Sequence, residues 1–286
     1  MIKNKGKKAS VVAVVAVLLT AGCMESSKET TVDTTKDMVK IMPEGVGYIM
    51  VIDLETIREE PNLKNFYDSL TETPENFGFS YESMNMIGAG LSNSNKIQIA
   101  LLQGKFEKEE INAITGACEG VEEYKDAEIW SECEDNYGRK SSKVIFSESL
   151  VLHYRAENQE YIKGVIDTIN GEGKTAYGTD EDIKDIVDRL PENGGITTLV
   201  KEGYTNISDS TIIGFSLAKK SKETLELKMV LKFKTEGDAA EHGEEALTQM
   251  ENGVISDPEI SQDNEFVEIT GTVPMEKLSE FMGSSL

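Results

Sequence analysis

From Leu225 to Phe233 the chain alternates. Leu225, Leu227, Met229, Leu231 and Phe233 are separated by Glu226, Lys228, Val230 and Lys232. Side chains on a strand point to opposite faces in turn, so this pattern predicts a strand with one buried and one largely solvated face. Ile213, Phe215 and Leu217 supply a partner strand across a turn at 219–222. The period changes to that of a helix at Tyr161, Ile162, Val165, Ile166 and Ile169, and again at Ile183, Ile186, Val187 and Leu190. Thr179 and Asp180 are candidate caps for the second helix, and Pro191 stands just past its end.

The same reading gives a strand at 48–52 with Asp53 placed to cap a helical turn, and a helix opened by Pro61 that buries Leu63, Phe66, Tyr67 and Leu70. A strand follows at 96–103 and a helix at 107–116. Strands at 143–147 and 150–154 meet at Glu148-Ser149 as a hairpin. A helix at 238–250, a strand at 266–271 and a helix at 274–282 complete the chain. The implied fold class is α+β, an antiparallel sheet with helices packed on one face. A strand leading through Gly104-Lys105-Phe106-Glu107 into a helix is echoed at Lys232-Phe233-Lys234-Thr235. The echo suggests two similar α+β halves, 41–172 and 173–286, with the glycines between Gly171 and Gly178 as their linker.

The first residues follow a different logic. Lys3, Lys5, Lys7 and Lys8 precede a small and apolar run from Val11 to Leu19, the form of an export signal and too short to cross a bilayer as a helix. The run ends in Leu19-Thr20-Ala21-Gly22-Cys23. This segment resembles the lipobox of bacterial and archaeal lipoproteins, with Thr20 where that family usually has Leu. The resemblance implies removal of residues 1–22 as a signal peptide, a diacylglyceryl group on the sulfur of Cys23, and a lipid-anchored exported protein at the outer face of the membrane. Residues 23–40 are then read as the lipidated cysteine and a flexible tether, because 25–36 is almost wholly Ser, Thr, Glu, Asp and Lys. Two acyl chains hold a protein firmly where one holds it marginally.

Charge narrows the partners. The chain carries a formal charge of −23, and losing the four lysines of the leader takes it to −27. A surface that negative repels nucleic acid, and only Arg58, Arg139, Arg155 and Arg189 offer forked recognition of phosphate. Nucleic acid is therefore not an expected partner. The expected partners are the membrane, through lipid on Cys23, and an unknown protein or small-molecule ligand.

With Cys23 assigned to lipid, Cys118 and Cys133 remain as an even pair in an oxidising compartment and are expected to form a disulfide. Asn206-Ile207-Ser208 is an Asn-x-Ser sequon, so Asn206 is an acceptor for glycosylation wherever that machinery exists. No catalytic residue, metal ligand or cofactor is assigned. Gly171-Glu172-Gly173-Lys174-Thr175 ends like a P-loop but has Thr168 where the first glycine belongs, and a helix where a strand should precede it. His153 sits in a strand, half-buried or at an edge. His242 lies near Glu241, Glu244 and Glu245 on a helix without enough partners for a zinc cage. Gly214-Phe215-Ser216-Leu217-Ala218 lacks the last glycine of a nucleophile elbow.

The sequence therefore points first to a non-catalytic, membrane-anchored structural or ligand-binding module of the cell envelope. The alternatives are an extracytoplasmic solute- or lipid-binding protein, in which methionines such as Met42, Met84 and Met229 line an adaptable pocket, and an anchored hydrolase working with carboxylates.

Overall fold

The computed structural model describes residues 32–71, 78–92, 97–134, 140–156, 160–202, 207, 209–250 and 254–284. Cys23 and Asn206 lie outside them.

Twelve strands form one antiparallel sheet in the order β11-β12-β10-β9-β8-β1-β2-β3-β7-β6-β5-β4. They are β1 (Val46–Asp53), β2 (Met84–Ser92), β3 (Ile97–Gly104), β4 (Gly120–Tyr124), β5 (Ala127–Glu134), β6 (Lys140–Ser147), β7 (Leu150–Ala156), β8 (Ile196–Lys201), β9 (Ser210–Lys219), β10 (Thr224–Phe233), β11 (Ser256–Asp263) and β12 (Phe266–Pro274). The helices are α1 (Thr35–Lys40), α2 (Leu54–Glu59), α3 (Lys64–Thr71), α4 (Lys108–Thr115), α5 (Glu160–Ile169), α6 (Ala176–Thr179), α7 (Glu181–Arg189), α8 (Glu236–Met250) and α9 (Leu278–Ser284).

The α+β class with an antiparallel sheet holds, but the helices take both faces instead of one. On the first face, Leu54 and Ile57 of α2, Phe66 of α3, Ile114 of α4, Ala246 of α8 and Phe281 of α9 pack on Leu102, Phe215, Leu227, Met229 and Leu231. On the second, Met38 of α1, Val165 and Ile166 of α5 and Ile186 of α7 pack on Val51, Leu101, Leu152 and Leu199. The reason lies in the inner strands. In β3, Ala100 and Leu102 serve one core while Ile99 and Leu101 serve the other, and a strand apolar on both sides needs two helical layers.

Local chemistry sets the boundaries. Asp53 caps α2 by accepting from the Thr56 amide at 2.9 Å, and Asp180 caps α7 by accepting from the Ile183 amide at 3.2 Å. In α4 the side chain of Glu110 reaches back to the Glu107 amide at 3.0 Å, one arm of a capping box. Three strands carried no readable signal. In β2, Gly88 and Gly90 interrupt the pattern, yet a Cβ at Gly88 would lie 2.6 Å from Met38 Cγ, so the glycine is what lets α1 lie on the strand. β8 and β11 likewise have no alternation that stands out from their flanks.

The stretch read as a tether joins the fold earlier than residue 40. Val32, Met38 and Val39 are buried, α1 occupies 35–40, and the Thr34 hydroxyl accepts from the Asp37 amide to cap it. The glycine linker likewise runs into α6, which begins at Ala176 within it.

Outward from the central β1–β8 pair the two arms run alike. β2, β3 and β7 follow on one side, and β9, β10 and β12 on the other. In each arm a hairpin feeds a helix, α4 after β3 and α8 after β10, before the return strand pairs outside it. The sheet itself is continuous across the centre, with Ile49 opposite Leu199 and Val51 opposite Thr197.

Candidate functional site

The most unusual chemistry in the described body is a buried cation beside a histidine. The β6–β7 register sets Lys143 opposite His153, and the next pairing sets His153 opposite Ala100 of β3. All three therefore point to the first face. Lys143 and His153 are only 7% and 8% exposed, with Lys143 Nζ 2.7 Å from His153 Nδ1. An ammonium has protons and no lone pair, so it donates and Nδ1 accepts. With Lys143 protonated, that bond places the imidazole proton on Nε2. A long basic side chain lies buried here with an imidazole as one partner and small Ala100 beside it. The arrangement can hold a proton at a fixed atom, but no serine, cysteine or carboxylate nucleophile is joined to it by a described hydrogen bond.

Cys133 stands on β5 opposite Ser141, two residues along β6 from Lys143. It is bonded to Cys118, just past the end of α4, with Cα atoms 4.0 Å apart. The bridge pins the helix to the strand. Closing a loop of this size contributes about 3 kcal/mol on the chain-entropy estimate.

A second feature lies on the same face, at the end of the sheet where β1 finishes. Ile57, Leu63, Ile196, Leu217, Leu225 and Leu278 line an enclosed apolar crevice of about 10 Å³. Glu60, 8% exposed, closes it through an ion pair with Lys219. Small-molecule sites usually enclose about 300 to 1,000 Å³, so this crevice is a packing gap rather than a ligand chamber. None of the methionines lines it; they fill the two cores, Met84 and Met229 on the first face and Met38, Met42 and Met86 on the second.

Ion pairs dock the second-face helices. Lys232 on β10 bridges Asp182 and Asp185 of α7, and Arg189 reaches Asp263 and Glu268 while its guanidinium lies 3.9 Å from the Phe266 ring centroid. Burial raises the Glu268 carboxyl, but Lys228 and Arg189 outweigh it and hold it below its ordinary value. Lys125 similarly lowers Asp167 of α5, with Tyr124 donating to the same carboxylate. Tyr154 is pushed up to about 12, first by burial and then by Tyr161.

The other candidates from the sequence resolve into structure. His242 stacks on Phe233 and lies 3.4 Å from Glu245 and 3.7 Å from Asp209, not among its helix neighbours Glu241 and Glu244. Among the described residues no cluster of three His, Cys, Asp or Glu is placed to hold a metal. Gly173 folds back on α5, its amide donating to the Asp167 carbonyl at 2.8 Å, so the glycine segment caps a helix. Ser216 is wholly buried in mid-β9. Sequence reasoning missed the Lys143–His153 contact altogether. Its signal was a lysine between buried Ser142 and Val144, which gains meaning only once β7 is laid alongside.

No protein-family model matches the chain, nor does any curated protein sequence. Its fold is similar to that of TP0453 in two crystal forms. Form III has a TM-score of 0.52 at 10% identity over 90% of this chain and 99% of the other. Form I has a TM-score of 0.53 at 10% identity over 89% and 98%. At that identity the likeness is one of fold.

Proposed function

We propose that the chain is an exported lipoprotein whose body is a non-catalytic module of the cell envelope, held to the membrane by lipid on Cys23. The observation that carries this is Leu19-Thr20-Ala21-Gly22-Cys23 placed directly after a basic and then an apolar run. Two features of the body support it. The remaining two cysteines are bonded to each other, as suits an oxidising compartment. Among the described residues no helix is long and apolar enough to cross a membrane.

Structural support and ligand capture are both open to such a module. The crevice closed by Glu60 and Lys219 has room for about one water, and the roomier hollow of about 480 Å³ lined by Glu236, Gly237, Ala240, Gln262 and Asn264 is an open surface depression. Neither is an enclosed ligand chamber, so support through the filled cores is favoured. The test is Cys23→Ser in a host with the lipoprotein pathway. The wild type should incorporate labelled fatty acid and partition into detergent, and the variant should do neither. Labelled fatty acid on the variant would sink the reading. The purified body should also turn over no peptide, ester, phosphoester or glycoside. Turnover lost in His153→Ala while the fold survives would promote the hydrolase alternative.

A further inference from the structure

The geometry points to the end of the sheet at which β1 finishes as the surface that rests on the membrane, with Lys105, Lys220 and Lys222 against anionic lipid headgroups. This rests on the lipid-anchor reading. Val32, the first described residue, is 2% exposed, and its carbonyl accepts from Gln103 Nε2 at 2.7 Å. Gln103 is the penultimate residue of β3, which runs in the same direction as β1, since each is antiparallel to β2. The chain thus enters the fold at that end, beside the turn carrying Lys105. Nine residues, 23 to 31, separate it from the acylated cysteine inclusive, and at full extension they reach at most about 32 Å. A strand of eight residues is already about 26 Å tall. The end where the chain enters can lie against the bilayer at any tether length, whereas the opposite end can do so only with the tether drawn out along the body.

Charge selects the same end. β9 finishes there and β10 begins, and in the exposed turn between them Lys220 and Lys222 stand against a single Glu223, while Lys219 is neutralised by Glu60. Among the described residues Lys105, Lys220 and Lys222 have no ion-pair partner, although Glu107 and Glu223 stand within two residues of Lys105 and Lys222 in sequence. At the opposite end most of the described cations are taken up, Lys201 by Asp180, Lys232 by Asp182 and Asp185, Lys234 by Glu202 and Asp209, and Lys140 by Glu132, with exposed Lys174 beside Glu44 the exception. A body as acidic as this one is repelled from an anionic surface at long range. Screening confines that repulsion to about 8 Å at physiological salt, so the groups at the contact decide the orientation.

The test uses the full lipidated protein on vesicles of phosphatidylcholine with phosphatidylglycerol, and on phosphatidylcholine alone. One cysteine is introduced for a fluorophore, either as Glu223→Cys at the proposed contact or as Glu236→Cys at the start of α8 on the opposite end. Energy transfer to a headgroup acceptor is then compared. Transfer should be stronger from position 223 than from 236 on the anionic vesicles. The difference should vanish in Lys105→Glu/Lys220→Glu/Lys222→Glu and in high salt. Equal transfer from the two positions in the wild type, or stronger transfer from 236, overturns the orientation. A difference unchanged on pure phosphatidylcholine or in the triple variant overturns the role of the lysines. Flotation of each sample is measured in parallel. Protein that floats without a preferred end refutes only this inference, whereas wild type that fails to float refutes the anchor reading and this inference with it.

Discussion

Leu227 shows how a single side chain bears on the whole sheet. It is fully buried on the first face, between the β9 and β12 neighbours Leu217 and Gly271. Leu227→Ala should cost about 2 to 5 kcal/mol in urea unfolding, because the packed surroundings relax only partly around the cavity. Lys143 and His153 give a subtler case. Removing His153 takes away one acceptor for a buried ammonium, and an imperfectly satisfied buried polar group costs about 1 to 3 kcal/mol. His242 is 20% exposed and has carboxylates at more than 3.3 Å, so its loss should cost clearly less. Equal midpoints for His153→Ala and His242→Ala would show that the buried contact adds nothing. In the sequence neither histidine stood out as functional, His153 reading as a strand residue and His242 as a helix residue among glutamates. The β6–β7 hairpin, its register shifted by the irregularity between Ile145 and Ser147, sets His153 opposite Lys143 and buries it there.

Acid should loosen two elements first, α5 and α7. Asp167 on α5 is held below its ordinary 3.8 by Lys125, and Glu268 under α7 is held below its ordinary 4.5 because Lys228 and Arg189 outweigh the effect of burial. A carboxyl whose folded pKa is depressed adds stability that is complete above its unfolded pKa. The contribution is lost as pH falls through the lower folded value. Stability should therefore be flat in these groups above about pH 5 and fall below about pH 4. Asp167→Asn and Glu268→Gln should each flatten that acid limb when urea midpoints are followed against pH. An unchanged slope in both would show that the ion pairs do not dock the helices. These helices were the best-read elements of the chain, since each shows its own apolar stripe. What they dock on was not readable, because Lys125 and Lys232 are distant in sequence from Asp167 and Asp182.

The whole molecule is decided at its centre. β1 and β8 pair with each other and are buried along most of their length, with α1 bridging to β8 through the Thr35 and Thr197 hydroxyls 3.0 Å apart. Cutting the chain between 172 and 173 bares one such strand on each fragment. The fragments 32–172 and 173–286 should each fail to give a dispersed NMR spectrum as soluble monomers, and should recover native far-UV dichroism only when mixed. A well-folded, monomeric 173–286 would instead make the halves independent domains.

Sequence by itself determined what depends on neighbours along the chain: the lipobox pattern, the acidic surface, the caps at Asp53 and Asp180, the stripes of α5 and α7, and the alternation of β10. Each of these is a local rule with a short period. Tertiary structure alone decided the second helical layer, the strand β2 hidden behind its glycines, the inclusion of 32–40 in the body and the Lys143–His153 contact. Those depend on which face of which strand meets which helix. A sheet whose inner strands are apolar on both sides leaves no period from which to read that choice.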